Sequence, residues 1–375
     1  MLFRLRLLLI AACGCLPLMA ASERPTFIDT QAQFDPADTD HHAALATMLR
    51  EMDRVGIRKM LIVPPPFPPE VRPANLYDAE RIKEVIGRHT DRFAFLAGGG
   101  SLNLMVLTTP ADQVTPAIKA EFRQRAEAIL AMGAVGWGEL TAEHLSLPLM
   151  KQDGLRHFHH VVEPDHPLLL LLADMAAEKD VPIDFHFDIF PRTMATPAHL
   201  RDGNPPELRE NQQAFERLLR HNPKARFTWA HLGSDPGQQR TPQLMRELMD
   251  RHPNLYSAFR IHIQGPAPMT PIDARGQLKP EWLALIQRFP DRFTLHTDMF
   301  YVSSWPPRRG SRDSHEKAMG MLSQLPPELA RKLGLDEFQQ PRTSDQFVYL
   351  ASARLLSATF SCHCRVTSHH ADRSA

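Results

Sequence analysis

The chain has 375 residues, 43% hydrophobic and 23% charged: enough for one large α/β domain or two ordinary ones, and the composition of a folded globular protein. Lys plus Arg and Asp plus Glu balance at 43 each, so net charge gives no pull towards nucleic acid or an anionic membrane. The 33 prolines fall mostly between predicted elements and predict long, rigid loops.

The first element in chain order is a leader rather than part of the fold. Arg4 and Arg6 precede the short apolar run 7–12, and small residues follow up to Ala20 and Ala21. A basic start, an apolar core and a small-residue end make residues 1–21 a secretory signal, with export to the periplasm or the medium. The run Leu9-Ile10-Ala11-Ala12-Cys13 also has the look of a bacterial lipoprotein box, which would make Cys13 a lipid anchor. No other segment nears the ~18 apolar residues of a membrane span.

A single domain is expected over 25–360. Short apolar, β-branched or aromatic runs at 26–34, 58–63, 92–97, 134–140, 182–189, 226–232, 255–261 and 292–299 read as strands. Amphipathic helical patterns at 40–55, 78–88, 115–132, 167–180, 206–221, 241–251 and 280–288 lie between them. Strands alternating with helices of this length argue for a parallel sheet, and eight units argue for a distorted (β/α)₈ TIM barrel. The rival, an open doubly wound sheet, lacks here a glycine-rich turn after its first strand. Residues 141–165 and 191–205 read as loops inserted after strands four and five. A last helix, 344–356, is expected to cross the barrel bottom. Residues 361–375 are expected as a disordered tail, although Cys362-His363-Cys364 has a soft-metal look. The four cysteines form no disulfide framework, so stability must come from the core.

Barrels of this kind carry their chemistry at the C-terminal ends of the strands. Those ends supply Gln31 and Gln33, Glu139, His186, His231, Arg260 and Asp298. Burying Glu139, His186, His231 and Asp298 at one mouth without partners would cost several kcal/mol. A shared cation would remove much of that cost.

Five motifs together make the chain similar to the amidohydrolase superfamily, in its amidohydrolase-related branch, from about residue 27 to 356. They are Phe27-Ile28-Asp29, Gly138-Glu139, Pro182-Ile183-Asp184-Phe185-His186, Trp229-Ala230-His231-Leu232-Gly233 and Asp298. The resemblance implies a distorted barrel that hydrolyses amides, esters or lactones, or decarboxylates acids, with one or two divalent metals. It also implies a small-molecule substrate and a homodimer. One departure stands out: strand one ends in Gln31-Ala32-Gln33 where the family's mononuclear members carry His-x-His. A neutral amide oxygen is a poor ligand for zinc. The remaining Glu139, His186 and His231 form a His₂Glu set with room for water, and some deacetylases of the superfamily keep a single metal on such a set. The expectation is therefore one divalent metal, zinc first, on Glu139, His186 and His231, with Asp298 at most a weak ligand. Asp298, as general base, and His231 are the catalytic residues expected. Gln31, Gln33, Arg260 and Arg192 are expected to bind substrate.

Two other readings stay open: a decarboxylase of the same fold, with Arg260 on the substrate carboxylate, and a degenerate barrel that binds without turnover. Among secondary features, Arg308 and Arg309 in the loop after strand eight read, like Arg192, either as anion-recognising or as solvated arginines. Gly98-Gly99-Gly100-Ser101 reads either as a backbone anion nest or as a plain turn. His157, His159, His160 and His166 read as lid or surface residues.

Overall fold

Strand β1 (Phe27–Phe34) is buried at every position, where a half-exposed strand would alternate. Such a strand has both faces covered, as in a parallel sheet wrapped by helices. The computed structural model describes residues 26–66, 77–147, 157–261, 269–304 and 313–334. The expected leader, the 344–356 helix, the Cys/His tail, Arg308 and Arg309 lie outside them.

The barrel continues with β2 (Ile57–Ile62), β3 (Phe93–Phe95, resuming at Ala97–Gly98) and β4 (Trp137–Thr141). Then come β5 (Pro182–His186), β6 (Arg226–Leu232), β7 (Leu255–Arg260) and β8 (Phe293–His296, resuming at Met299–Tyr301). All neighbours among these pair in parallel. The two interrupted strands join the ring. The first half of β3 pairs with β2 and its second half with β4, while the first half of β8 pairs with β7 and its second half with β1. The interruption in β8 falls on Thr297 and Asp298, so the bend that closes the barrel also places the expected base.

The helices α1 (His41–Val55), α2 (Ala79–Ile86), α3 (Leu102–Thr108), α4 (Pro116–Ala131) and α5 (Pro167–Lys179) follow the first strands in turn. α6 (Gln212–His221), α7 (Pro242–Arg251) and α8 (Pro280–Arg288) follow β5, β6 and β7. Their starts were legible. Thr115 and Thr241 cap α4 and α7 through side-chain oxygens, each followed by a proline in the first turn, whose missing N–H is no loss there. α1 stops at Gly56, whose φ of 83° suits a residue without a Cβ. Ala44, Leu45, Met48 and Met52 line the buried face of α1 at helical spacing and join one core of strand and helix side chains.

The structure departs from the sequence reading in several places. The expected helix at 206–221 begins only at Gln212. Before it, Glu207–Leu208 pairs antiparallel with Met194–Ala195, so the insertion after β5 is a small hairpin that reaches beyond 205. The Thr196 N–H and hydroxyl donate to the carbonyls of Pro206 and Pro205 and hold this segment in the hairpin instead. Strand four starts at Trp137 rather than 134, and strand five ends at His186 rather than 189. Helix α3 was not anticipated. Nor were α9 (Asp313–Leu322) and α10 (Pro327–Gly334). α10 packs against β8, and a Cβ on Gly334 would lie 3.5 Å from the Cβ of Phe27, at the start of β1. It thus covers the barrel end opposite the strand-end residues.

Candidate functional site

Strand geometry brings the strand-end residues together. Residues two apart on a strand share a face, so Gln31 and Gln33 both project inward from β1. Glu139 on β4, His186 at the end of β5 and His231 on β6 meet them. One oxygen of Glu139 lies 2.9 Å from His186 Nδ1 and 2.9 Å from His231 Nε2. Its other oxygen accepts from the Gln31 amide at 2.8 Å. The Gln33 amide donates to one oxygen of Asp298 at 2.7 Å, and Arg260 Nη1 lies 3.0 Å from the other. Both glutamines turn their N–H₂ groups to carboxylates, which leaves both amide oxygens buried without a hydrogen-bond partner.

The backbone is held hard at two of these positions. His231 and Asp298 have φ of 63° and 51°, a region that residues with a Cβ enter at a cost of order 1–3 kcal/mol. Their neighbours hold them there. Buried Arg240 donates to the carbonyls of Ala230 and His231, and His296 Nε2 accepts the N–H of His231 at 3.1 Å. The Asp298 N–H donates to the carbonyl of Gln31 at 2.9 Å, while Asp29 takes the N–H and the hydroxyl of Thr297.

The site's charges follow from burial and proximity. Burial opposes a charged His186 ring, but Asp188 and Glu139, one on each nitrogen, outweigh it and raise its pKa to about 9. Burial pushes His231 well below the ordinary histidine value, aided by His186 and Arg260. Asp298 is pushed up to about 6 by burial, with Arg260 opposing and Glu139 adding to the rise. Burial and the Glu139 charge push Asp184 well above the usual carboxylate range. Around Glu139, burial therefore opposes charge on His231, Asp184 and Asp298 but is outweighed at His186.

That arrangement fits a divalent cation. One ligand atom each from Glu139, His186 and His231 lies within 4.8 Å of the others, the one such group among the described residues. Asp188 and Glu139 favour a positive charge at His186, and a cation held at the same point would meet the same carboxylate of Glu139. His₂Glu is a donor set that accepts zinc and other divalent metals. Asp298 stands outside the group, engaged by Gln33 and Arg260.

Other expected residues fall elsewhere. Arg192 is exposed on the hairpin insertion. The Gly98–Ser101 turn does bind an anion, but the anion is the chain's own: Asp78 accepts the Gly98 N–H at 2.7 Å and the Ser101 hydroxyl, beside Arg125. His157 accepts the Leu147 N–H and His166 caps α5, both structural roles. His159 lies 2.6 Å from buried Glu143. The sequence reading gave no role to Asp184, Asp188 or His296. The signal for Asp188 was its position two residues beyond His186, on the same side of an extended chain.

The amidohydrolase family model matches residues 28–336. No curated protein sequence matches the chain. Among solved structures, an amidohydrolase from Mycobacterium avium subsp. paratuberculosis K-10 is 13% identical, with 78% of this chain and 72% of that chain covered and a TM-score of 0.40. A TatD homolog from Escherichia coli k12 is 13% identical, at 82% and 94% coverage and a TM-score of 0.44. Helicobacter pylori aminofutalosine deaminase is 10% identical, at 88% and 80% coverage and a TM-score of 0.44. The family model spans most of the chain, including every strand of the barrel and every residue around Glu139, and so the chain belongs to the amidohydrolase family.

Proposed function

We propose that the chain is a metal-dependent hydrolase of a small amide, ester or lactone. One observation carries this reading: three ligand atoms from three strand ends lie within 4.8 Å of one another, beside a carboxylate that is not among them. A divalent cation on Glu139, His186 and His231, zinc first, would act as a Lewis acid and bring the pKa of a water down towards ~7. Asp298 takes a proton from the attacking water and returns it to the leaving group. Gln33 and Arg260 fix the two oxygens of Asp298 for that transfer. The free amide oxygens of Gln31 and Gln33 accept hydrogen bonds from substrate or water. Arg260 is already engaged by Asp298 at 3.0 Å, which favours hydrolysis over the decarboxylase reading, where the guanidinium would have to serve a substrate carboxylate.

The test is metal content by elemental analysis of the full chain purified without chelator, followed by a hydrolase screen. About one metal per chain is expected, lost in Glu139→Gln and kept in Gln31→Ala plus Gln33→Ala. A wild-type chain that takes up no metal even after reconstitution would sink this reading in favour of a binding barrel. Carbon dioxide release, in place of an acid product, would point to the decarboxylase. We further propose export by residues 1–21 and a homodimer. The N-terminal mass of the secreted product and the solution mass test them.

A further inference from the structure

His186 has a carboxylate facing each ring nitrogen. Nδ1 lies 2.9 Å from Glu139, and Nε2 lies 3.6 Å from Asp188 Oδ2. A neutral imidazole carries one N–H. For Nδ1 to offer its lone pair to a cation shared with Glu139 and His231, the proton must sit on Nε2, the nitrogen that faces Asp188. Asp188 is buried and held at three points. Its Oδ2 accepts the Leu145 N–H at 2.8 Å, its own N–H donates to the Glu143 carbonyl at 3.0 Å, and its carbonyl accepts from Asn211 Nδ2 at 3.0 Å. The nearby Glu143 carboxylate is already engaged, by His159 at 2.6 Å. His231 is supported less closely: its Nδ1 lacks a hydrogen-bond partner, and Asp298 Oδ2, already engaged by Arg260, is 3.9 Å away.

We infer that Asp188 is a positioning residue that keeps the proton of His186 on Nε2 and the ring aimed so that Nδ1 stays open to a cation. A metal-bound histidine whose other nitrogen donates to a carboxylate is held in tautomer and orientation, and loss of the carboxylate lowers metal affinity about 10–100-fold. The inference rests on the proposed metal group and adds a fourth residue to it, one that touches no metal.

The experiment titrates the metal-stripped full chain with Co²⁺ and Zn²⁺ against a competing chelator. Wild type, Asp188→Ala, Asp188→Asn and Glu143→Gln are compared, with circular dichroism to check folding. Asp188→Ala is expected to bind about 10–100-fold more weakly and to change the visible Co²⁺ spectrum. Asp188→Asn, which keeps an oxygen facing the ring, is expected to fall in between. Glu143→Gln removes a neighbouring acid that is engaged by His159 rather than by His186, and it is expected to bind metal like wild type. An Asp188→Ala chain that binds like wild type, or a Glu143→Gln chain that loses as much, overturns the inference. If Asp188→Ala does not fold, ¹⁵N-histidine NMR of the Zn²⁺-loaded wild type decides. An exchange-protected proton on His186 Nε2 supports the role, and a proton that exchanges freely overturns it. A wild type with no Glu139-dependent metal would fail the proposed function and this inference together. Metal binding that ignores Asp188 fails the inference alone.

Discussion

Replacing Asp298 by Asn separates the chemistry of this site from its stability. Burial raises the Asp298 pKa from 3.8 to about 6, with Arg260 opposing. A group whose folded pKa is raised contributes stability that is fully present below its unfolded pKa and lost as pH rises through its folded pKa. For Asp298 that window runs from 3.8 to about 6, so at neutral pH the ionised side chain weakens the fold. The shift corresponds to at most about 3 kcal/mol at about 1.4 kcal/mol per unit. Asparagine is neutral at every pH and nearly the same shape, so the variant is expected to be as stable as wild type or more so. In a chain of this size that is a rise in Tm of up to about 4 °C at pH 7. Activity moves the other way. Loss of a general base lowers kcat by about 10²–10⁴. Metal content stays near one per chain, because Asp298 lies outside the ligand group. The assay combines calorimetry of the metal-stripped chain at pH 7 with elemental analysis and turnover of the metal-loaded chain on whichever substrate the screen finds. Wild-type turnover in the variant would refute the role of the carboxylate. A fall in Tm of several degrees would refute the energetic reasoning and make the Asp298–Arg260 pair a net stabiliser.

Two further outcomes are expected away from the chemistry. Glu51 lies on the buried face of α1; burial raises its pKa, but Arg54 and His315 outweigh this and bring it to about 2 from 4.5. The stability it gives is therefore present above pH 4.5 and lost as pH falls through about 2. Arg54 is half exposed, so solvent screening limits the loss in Glu51→Gln to about 2 kcal/mol at neutral pH. Urea unfolding at pH 7 and pH 3 should show the difference shrinking at the lower pH; an equal difference at both would remove the ionic explanation. Arg240→Lys should weaken both fold and metal binding, because a lysine cannot fork to the carbonyls of Ala230 and His231. About 1–3 kcal/mol of unfolding free energy should be lost, and Co²⁺ titration should show weaker binding. Unchanged metal affinity would mean that His231 holds its φ of 63° without Arg240.

Much of the barrel was legible because the hydrophobic pattern has the period of its elements. The runs that became β1, β2, β6 and β7 read as strands within a residue or two of their final bounds. Threonine–proline pairs marked where α4 and α7 begin. The strand-end rule singled out Glu139, His186, His231 and Asp298 before any distance was known, because parallel barrels put their polar groups at one end of every strand. The elements that escaped were set by contacts far apart in sequence. The hairpin that shortens α6 exists because Glu207 and Leu208 find Ala195 and Met194. The apparent anion nest at Gly98 is filled by Asp78, 20 residues away in the chain. Arg192, expected to bind substrate from the loop after β5, is exposed there, and sequence carries no direction for a loop.

The sequence by itself determined which residue types stand at which strand ends, and with them the proposed donor set and the Gln-x-Gln that ends strand one. Only the tertiary structure decided what those residues do to one another. Gln31 and Gln33 give their amides to Glu139 and Asp298 and keep their oxygens free, Arg260 turns to Asp298, and Asp188 closes on the far side of His186. Periodicity fixes the face on which a side chain lies, because it is a property of one strand. Partners are fixed by distances between strands, and those exist only once the barrel has closed.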